Sequence, residues 1–326
     1  MSKIIKKIFI STIMVSTTFS LLMGAESIEI SPSIDKKIFH EQYVSVTIKL
    51  NNKNISKVLI VTDKNEHYPI ELTTQCDNVC SKIIKLRLGE NSIRVEGYIG
   101  EELAYEVKNE LYCASQAFRE YKEAPIKYKE RFFHTDKNEK LCAECHDMSN
   151  NEQKKVAFVD VKDSNCFVCH KAITLDRYAH APSANWLCTS CHTGEIENKS
   201  KNIIEKSKFI APKQIASACF SCHDKNKQSW DTKKHKHFPV EAGMCTRCHN
   251  PHSSDNKMFL RVNSSFLCLE CHADKKLSQQ IRGNSKCPGE QKDGCTECHN
   301  PHASDYRFLL KSPHVDKKID NNIKGK

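Results

Sequence analysis

The pattern Cys-x-x-Cys-His occurs seven times in this chain. The copies are Cys142/Cys145/His146, Cys166/Cys169/His170, Cys188/Cys191/His192, Cys219/Cys222/His223, Cys245/Cys248/His249, Cys268/Cys271/His272 and Cys295/Cys298/His299. They commit 14 of the 18 cysteines, leaving Cys76, Cys80, Cys113 and Cys287. A Cys-x-x-Cys pair alone can be half of a zinc site, a dithiol redox centre or a disulfide. None of these requires a histidine directly after the second cysteine. Histidine is 16 of 326 residues, so seven such placements by chance come to roughly 10⁻⁹.

The chemistry that does require this order is covalent attachment of c-type haem. Two thiols form thioethers with the porphyrin vinyl groups, and the next residue reaches the iron as its proximal axial ligand. Seven haem c groups are therefore expected. Motif spacing then bounds the fold. First cysteines follow one another at 24, 22, 31, 26, 23 and 27 residues, room for a helical turn or two and a loop. The 185 residues from Cys142 onward cannot build a large side-chain core around seven macrocycles. The porphyrins are expected to be the core, and folding to depend on their insertion. The expectation over 134–315 is a heptahaem domain of short helices and irregular loops.

The N-terminus predicts the compartment. Lys3, Lys6 and Lys7 form a basic region, Ile8 to Met23 an apolar run, and Gly24-Ala25 small residues before Glu26. Residues 1–25 read as a signal peptide, with a retained anchor as the alternative. No cysteine follows the run, so no lipoprotein anchor is expected. No other apolar run reaches the ~18 residues of a bilayer span. A periplasmic or extracellular location is expected. Net charge is +10. Losing the signal lysines, and gaining two propionates and one ferric charge per haem, brings the oxidised protein to about zero. The lysines thus carry no argument for nucleic-acid binding.

Residues 26–112 lack haem motifs. Val44, Val46, Ile48 and Leu50 alternate with polar residues, Lys57 to Thr62 is a short apolar run, and Ile84 to Leu88 and Ile93 to Val95 alternate again. A turn is expected at Gly89-Glu90-Asn91. Several short strands separated by turns predict an all-β sandwich. This stretch, Gly89 to Tyr98 above all, resembles bacterial immunoglobulin-like domains, and the resemblance implies such a fold; its separateness from the haem motifs makes a docking module the expected role. Cys76 and Cys80 are expected to form a small-loop disulfide. His40 and His67 read as surface or structural residues. Residues 113–133 read as a helical connector broken near Pro125, with Cys113 either paired to Cys287 or free. Residues 316–326 read as a flexible tail.

Cys245 to Leu260 aligns without gaps on Cys295 to Leu310, 50 residues later. The first four motifs show no repeat of that kind. The Cys-x-x-Cys-His-Asn-Pro-His element followed by another haem motif resembles the doubled C-x-x-C-H motif family of multihaem cytochromes. That resemblance implies electron transfer between closely packed haems.

Distal ligands must come from histidines outside the motifs. From residue 134 onward these are His134, His180, His235, His237, His252, His302 and His314, as many as there are motifs. His252 and His302 lie three residues from a proximal histidine, too short a tether to reach the far face of the same haem. Each is expected to ligate a neighbouring haem, with Pro251 and Pro301 stiffening the approach. His235 and His237 are close together, so one of them is the candidate surplus histidine, and Met148, Met244 or Met258 is the substitute if one of the histidines does not ligate. Bis-histidine haems are closed to substrate and suit electron carriage. The expectation is a carrier between other redox proteins: a membrane-side donor, a terminal reductase or an outer-membrane conduit. The alternatives are a multihaem reductase of the nitrite, hydroxylamine or tetrathionate type with one open haem, and a filament-forming cytochrome.

Overall fold

Val44, Val46, Ile48 and Leu50 are buried and the residues between them are not, so β3 (Tyr43–Leu50) turns one apolar face inward. The period-two pattern needs only that face to pack. The structure, a computed structural model, describes residues 27–70, 72, 78–143, 146–148, 164–200, 203–212, 214–272 and 294–312. The expectations for the signal peptide, Cys76, Cys145, Cys287, His314 and the tail lie outside these residues.

β3 is the middle strand of a three-stranded sheet, antiparallel to β1 (Ile28–Ile30) and β6 (Val79–Lys85). A second sheet has the order β5-β4-β7-β8-β2-β9. Its members are β2 (Lys37–Phe39), β4 (Lys57–Thr62), β5 (His67–Ile70), β7 (Gly89–Ile99), β8 (Glu102–Cys113) and β9 (Lys129–Glu130). The short strands β2 and β9 join in parallel at the far edge. Ile28, Val46, Ile48 and Ile84 of the first sheet and Val58, Ile60, Ile93 and Val95 of the second belong to one buried apolar cluster.

Two local expectations change. Gly89 and Asn91 open strand β7 instead of forming a turn, and the chain crosses between sheets at 86–88. Asn91, buried, holds the crossing with its side chain. Its Oδ1 accepts from Arg87 N at 2.8 Å, and its Nδ2 donates to the Arg87 and Gly89 carbonyls at 2.9 Å each. Residues 113–133 hold only a 3-10 turn, Arg119–Tyr121, before β9. Pro125 removes a donor in mid-segment, and edge pairing with β2 takes over. Cys80 is in a disulfide. Cys113 is a free, fully buried thiol, so it does not pair with Cys287.

From residue 134 the elements are short. The helices are α1 (Asp136–Ala143), α2 (Phe167–His170), α3 (Ala181–Ala184), α4 (Ala216–Phe220), α5 (Asp224–Asp231), α6 (Phe238–Glu241), α7 (Ser264–His272) and α8 (Cys295–Cys298). Between them lie β10 (Tyr178–Ala179), β11 (Gly194–Ser200), β12 (Ile203–Ile210), β13 (His235–Lys236), β14 (Ser253–Ser254) and β15 (Ala303–Ser304). Among the described residues here, the only buried hydrophobic side chains are Ala172, Trp186, Ala303 and Leu310. No helix among the described residues is long and apolar enough to cross a membrane.

Candidate functional site

Where a side-chain core would be, there is a cavity of ≈ 2910 Å³ lined by residues of all seven motifs. Ordinary ligand pockets hold about 300–1,000 Å³. This one has room for several large ligands side by side. One wall comes from the N-terminal sheets: Phe39, His40 and Glu41, at and just beyond the end of β2, line it. The N-terminal part therefore contributes to the wall of this cavity.

In six motifs one helical-turn hydrogen bond joins the histidine to the first cysteine, and Cys268 to His272 lies within α7. The histidine N–H donates to the first cysteine carbonyl in His146→Cys142 (2.8 Å), His170→Cys166 (3.0 Å), His192→Cys188 (2.9 Å), His223→Cys219 (3.0 Å), His249→Cys245 (3.0 Å) and His299→Cys295 (2.9 Å). Residues three and four apart share a helix face, so in the motifs whose two cysteines are both described the thiols and the imidazole lie on one side. Successive motifs also touch. The thiols of Cys219 and Cys245 lie close enough to perturb each other, as do those of Cys268 and Cys295, and Arg247 donates to Cys271 Sγ at 3.7 Å.

Five motif histidines face a histidine from outside the motifs across a gap. Ring centres are 6.0 Å apart for His134 and His170, 6.2 Å for His180 and His223, 6.1 Å for His192 and His252, 6.1 Å for His237 and His272 and 6.0 Å for His249 and His302. Ring planes are within 24° of parallel in four of these pairs and 37° apart in the first. Imidazole nitrogens bind a metal at about 2.0 Å, so two rings on opposite sides of one metal have centres about 6 Å apart. The spacing fits one iron between each pair. His146 and His299 face no such ring among the described residues, and His235 faces neither. It stands exposed in β13 opposite Ser304, the place Tyr178 takes opposite Ser254 in β10. Among the described residues no group of three or more His, Cys, Asp or Glu is arranged to hold a bare metal ion.

The other ring nitrogen is anchored in most of these histidines. Nδ1 donates to the Pro251 carbonyl from His180 (2.9 Å), to Pro301 from His237 (2.8 Å), to Phe209 from His192 (2.8 Å), to Met258 from His249 (2.7 Å) and to Phe308 from His299 (2.7 Å). This leaves Nε2 toward the gap, the arrangement that orients a metal-binding histidine. Phe209, Met258 and Phe308 have φ of 59°, 58° and 57°, a left-handed conformation that aims their carbonyls at the rings. Two histidines use carboxylates: His134 Nδ1 donates to Glu139 at 3.0 Å and His252 Nδ1 to Glu41 at 3.2 Å. Burial lowers His170 and His302 to about 4 each. They stay neutral, the form that coordinates metal.

A second repeat emerges that the sequence reading missed. His180 and His237 each N-cap a short helix with proline in its first turn, α3 and α6. Each donates its backbone N–H to the histidine of an Asn-Pro-His element, His252 at 2.8 Å and His302 at 2.9 Å. The signal was present as His180-Ala-Pro…Cys188-Thr-Ser-Cys-His against His237-Phe-Pro…Cys245-Thr-Arg-Cys-His. The repeat thus reaches back to the third motif. After it, the hairpin β11–β12 replaces the Asn-Pro-His element. Glu41, Glu139 and Trp230, whose ring centre lies 4.6 Å from that of His302, had no sequence signal.

Residues 237–277 and 288–317 match the doubled CXXCH motif family. These stretches carry the last three motifs. No curated protein matches the chain. The paired motifs imply covalently bound haem c and suggest a multihaem c-type cytochrome, a class whose work is electron transfer.

Proposed function

We propose that the chain is a heptahaem cytochrome that carries electrons along a row of bis-histidine haems, with an immunoglobulin-like β-sandwich at its N-terminus. Residues 1–25 export it to the periplasm or cell surface, where it serves between a membrane-side donor and a terminal reductase or outer-membrane conduit. The fourteen motif cysteines attach the haems, and His146, His170, His192, His223, His249, His272 and His299 are the proximal ligands. His134, His180, His252, His237 and His302 are the distal ligands of the second, fourth, third, sixth and fifth motifs. His314 is proposed as a distal ligand for the last motif. His235 is the surplus histidine.

The observation that carries this is the set of five facing histidine pairs. Haem c held there supplies reversible one-electron chemistry. The paired rings exclude substrate from both faces, and the anchored Nδ1 atoms hold the rings in place before and after each electron. The Asn-Pro-His elements cross-link the row: His252 leaves the fifth motif to face the third, and His302 leaves the seventh to face the fifth.

Haem quantification per polypeptide should give seven. Electron paramagnetic resonance of the oxidised holoprotein should show at least five low-spin haems that ignore cyanide and nitrite. A majority of high-spin, ligand-binding haems would sink the carrier reading. The reductase alternative is confined to the His146 and His299 haems, so exogenous ligand should perturb at most these two.

A further inference from the structure

The two Asn-Pro-His elements are nearly identical in sequence, and their backbones are held alike. Asn250 Oδ1 accepts from His252 N and Asn300 Oδ1 from His302 N, both at 3.0 Å. Their rings are not treated alike. His302 lies against Trp230 and its ring has no hydrogen-bond partner among the described residues. The ring of His252 donates from Nδ1 to Glu41 Oε1 at 3.2 Å, across 211 residues of sequence. Glu41 belongs to the loop between β2 and β3, in the N-terminal sheets. Besides His252 it faces His40 and Arg261, and its carbonyl oxygen accepts from the Cys113 thiol at 3.8 Å.

A carboxylate on the far nitrogen of a metal-bound imidazole raises the basicity of the ligand. A more basic ligand, with a negative charge behind it, favours ferric over ferrous iron. We propose that Glu41 is a positioning residue that lowers the reduction potential of the third-motif haem, the one held between His192 and His252. The N-terminal domain thereby sets one step of the electron path, while the equivalent haem at His249 and His302 has no such carboxylate partner among the described residues. This rests on the assignment of His192 and His252 as ligands of one haem.

The test uses full-length holoprotein. Glu41→Gln keeps an acceptor oxygen for Nδ1–H and removes the charge. Spectroelectrochemical titration should show one haem shifted to more positive potential by at least ~59 mV, the one-electron equivalent of a tenfold change in the oxidised-to-reduced ratio. All haems should stay low-spin. Glu41→Asp should bring that potential back toward wild type. His252→Ala identifies the haem, converting one low-spin signal to high-spin. If His252→Ala leaves every haem low-spin, the ligand assignment fails and the proposal with it. If His252→Ala behaves as expected but Glu41→Gln shifts no haem by a tenfold equivalent, Glu41 does not tune the haem and only the proposal is overturned.

Discussion

Cys113 closes β8 with 0 % exposure. Burial, and after it the Glu41 charge, pushes its thiol up to about 12. The folded value lies above the ordinary thiol value of 9.0, so the fold favours the protonated form. That contribution is complete below about pH 9 and is lost as pH rises toward about 12, at up to ~1.4 kcal/mol per pH unit. Urea midpoints should therefore fall with pH in this window, and Cys113→Ala should flatten the slope. The same residue shows how far sequence could go. A cysteine outside the haem motifs invites pairing with another such as Cys287, and only burial at a strand end reveals a free thiol. Glu139 is similar. Its burial beside His134 is offset by Lys208, which donates to its Oε2 at 3.0 Å, and nothing in the local sequence marks either partner.

At the scale of elements, periodicity was a sound guide wherever one face of a strand is buried. β3 and β4 lie where alternation and apolar runs predicted them. Ile93 on β7 is fully buried between β4 and β8 partners. Ile93→Ala should lower stability by about 2–5 kcal/mol, measured as a loss in urea midpoint by far-ultraviolet circular dichroism. Periodicity failed at 89–91 and 113–133, where a buried asparagine and an edge pairing decided the path. It also missed the shared unit of α3 and α6, because a histidine cap, a proline and a two-residue strand are too short to register as periodic. What makes them a unit is the hydrogen bond each forms with a distant Asn-Pro-His element.

Across the whole molecule the apolar residues are divided unequally. The sheets bury a contiguous side-chain cluster, whereas the described residues beyond 134 bury four hydrophobic side chains around a cavity of ≈ 2910 Å³. Chain made without haem attachment should therefore fold in part. Limited trypsin digestion should leave a protected fragment of the N-terminal sheets and degrade the rest, while holoprotein resists throughout. Equal protection of both parts without haem would contradict this division. Sequence by itself determined the chemistry of attachment, because Cys-x-x-Cys-His needs no distant partner to place two thiols and an imidazole on one helical turn. It also marked the strands, whose alternation is local, and the set of histidines from which partners are drawn. Tertiary structure alone decided which histidine faces which, that His235 stands aside, and that Glu41 reaches His252. Those pairings join residues up to 211 apart, and no local pattern encodes a contact whose partners meet only when the sheets close over the cavity.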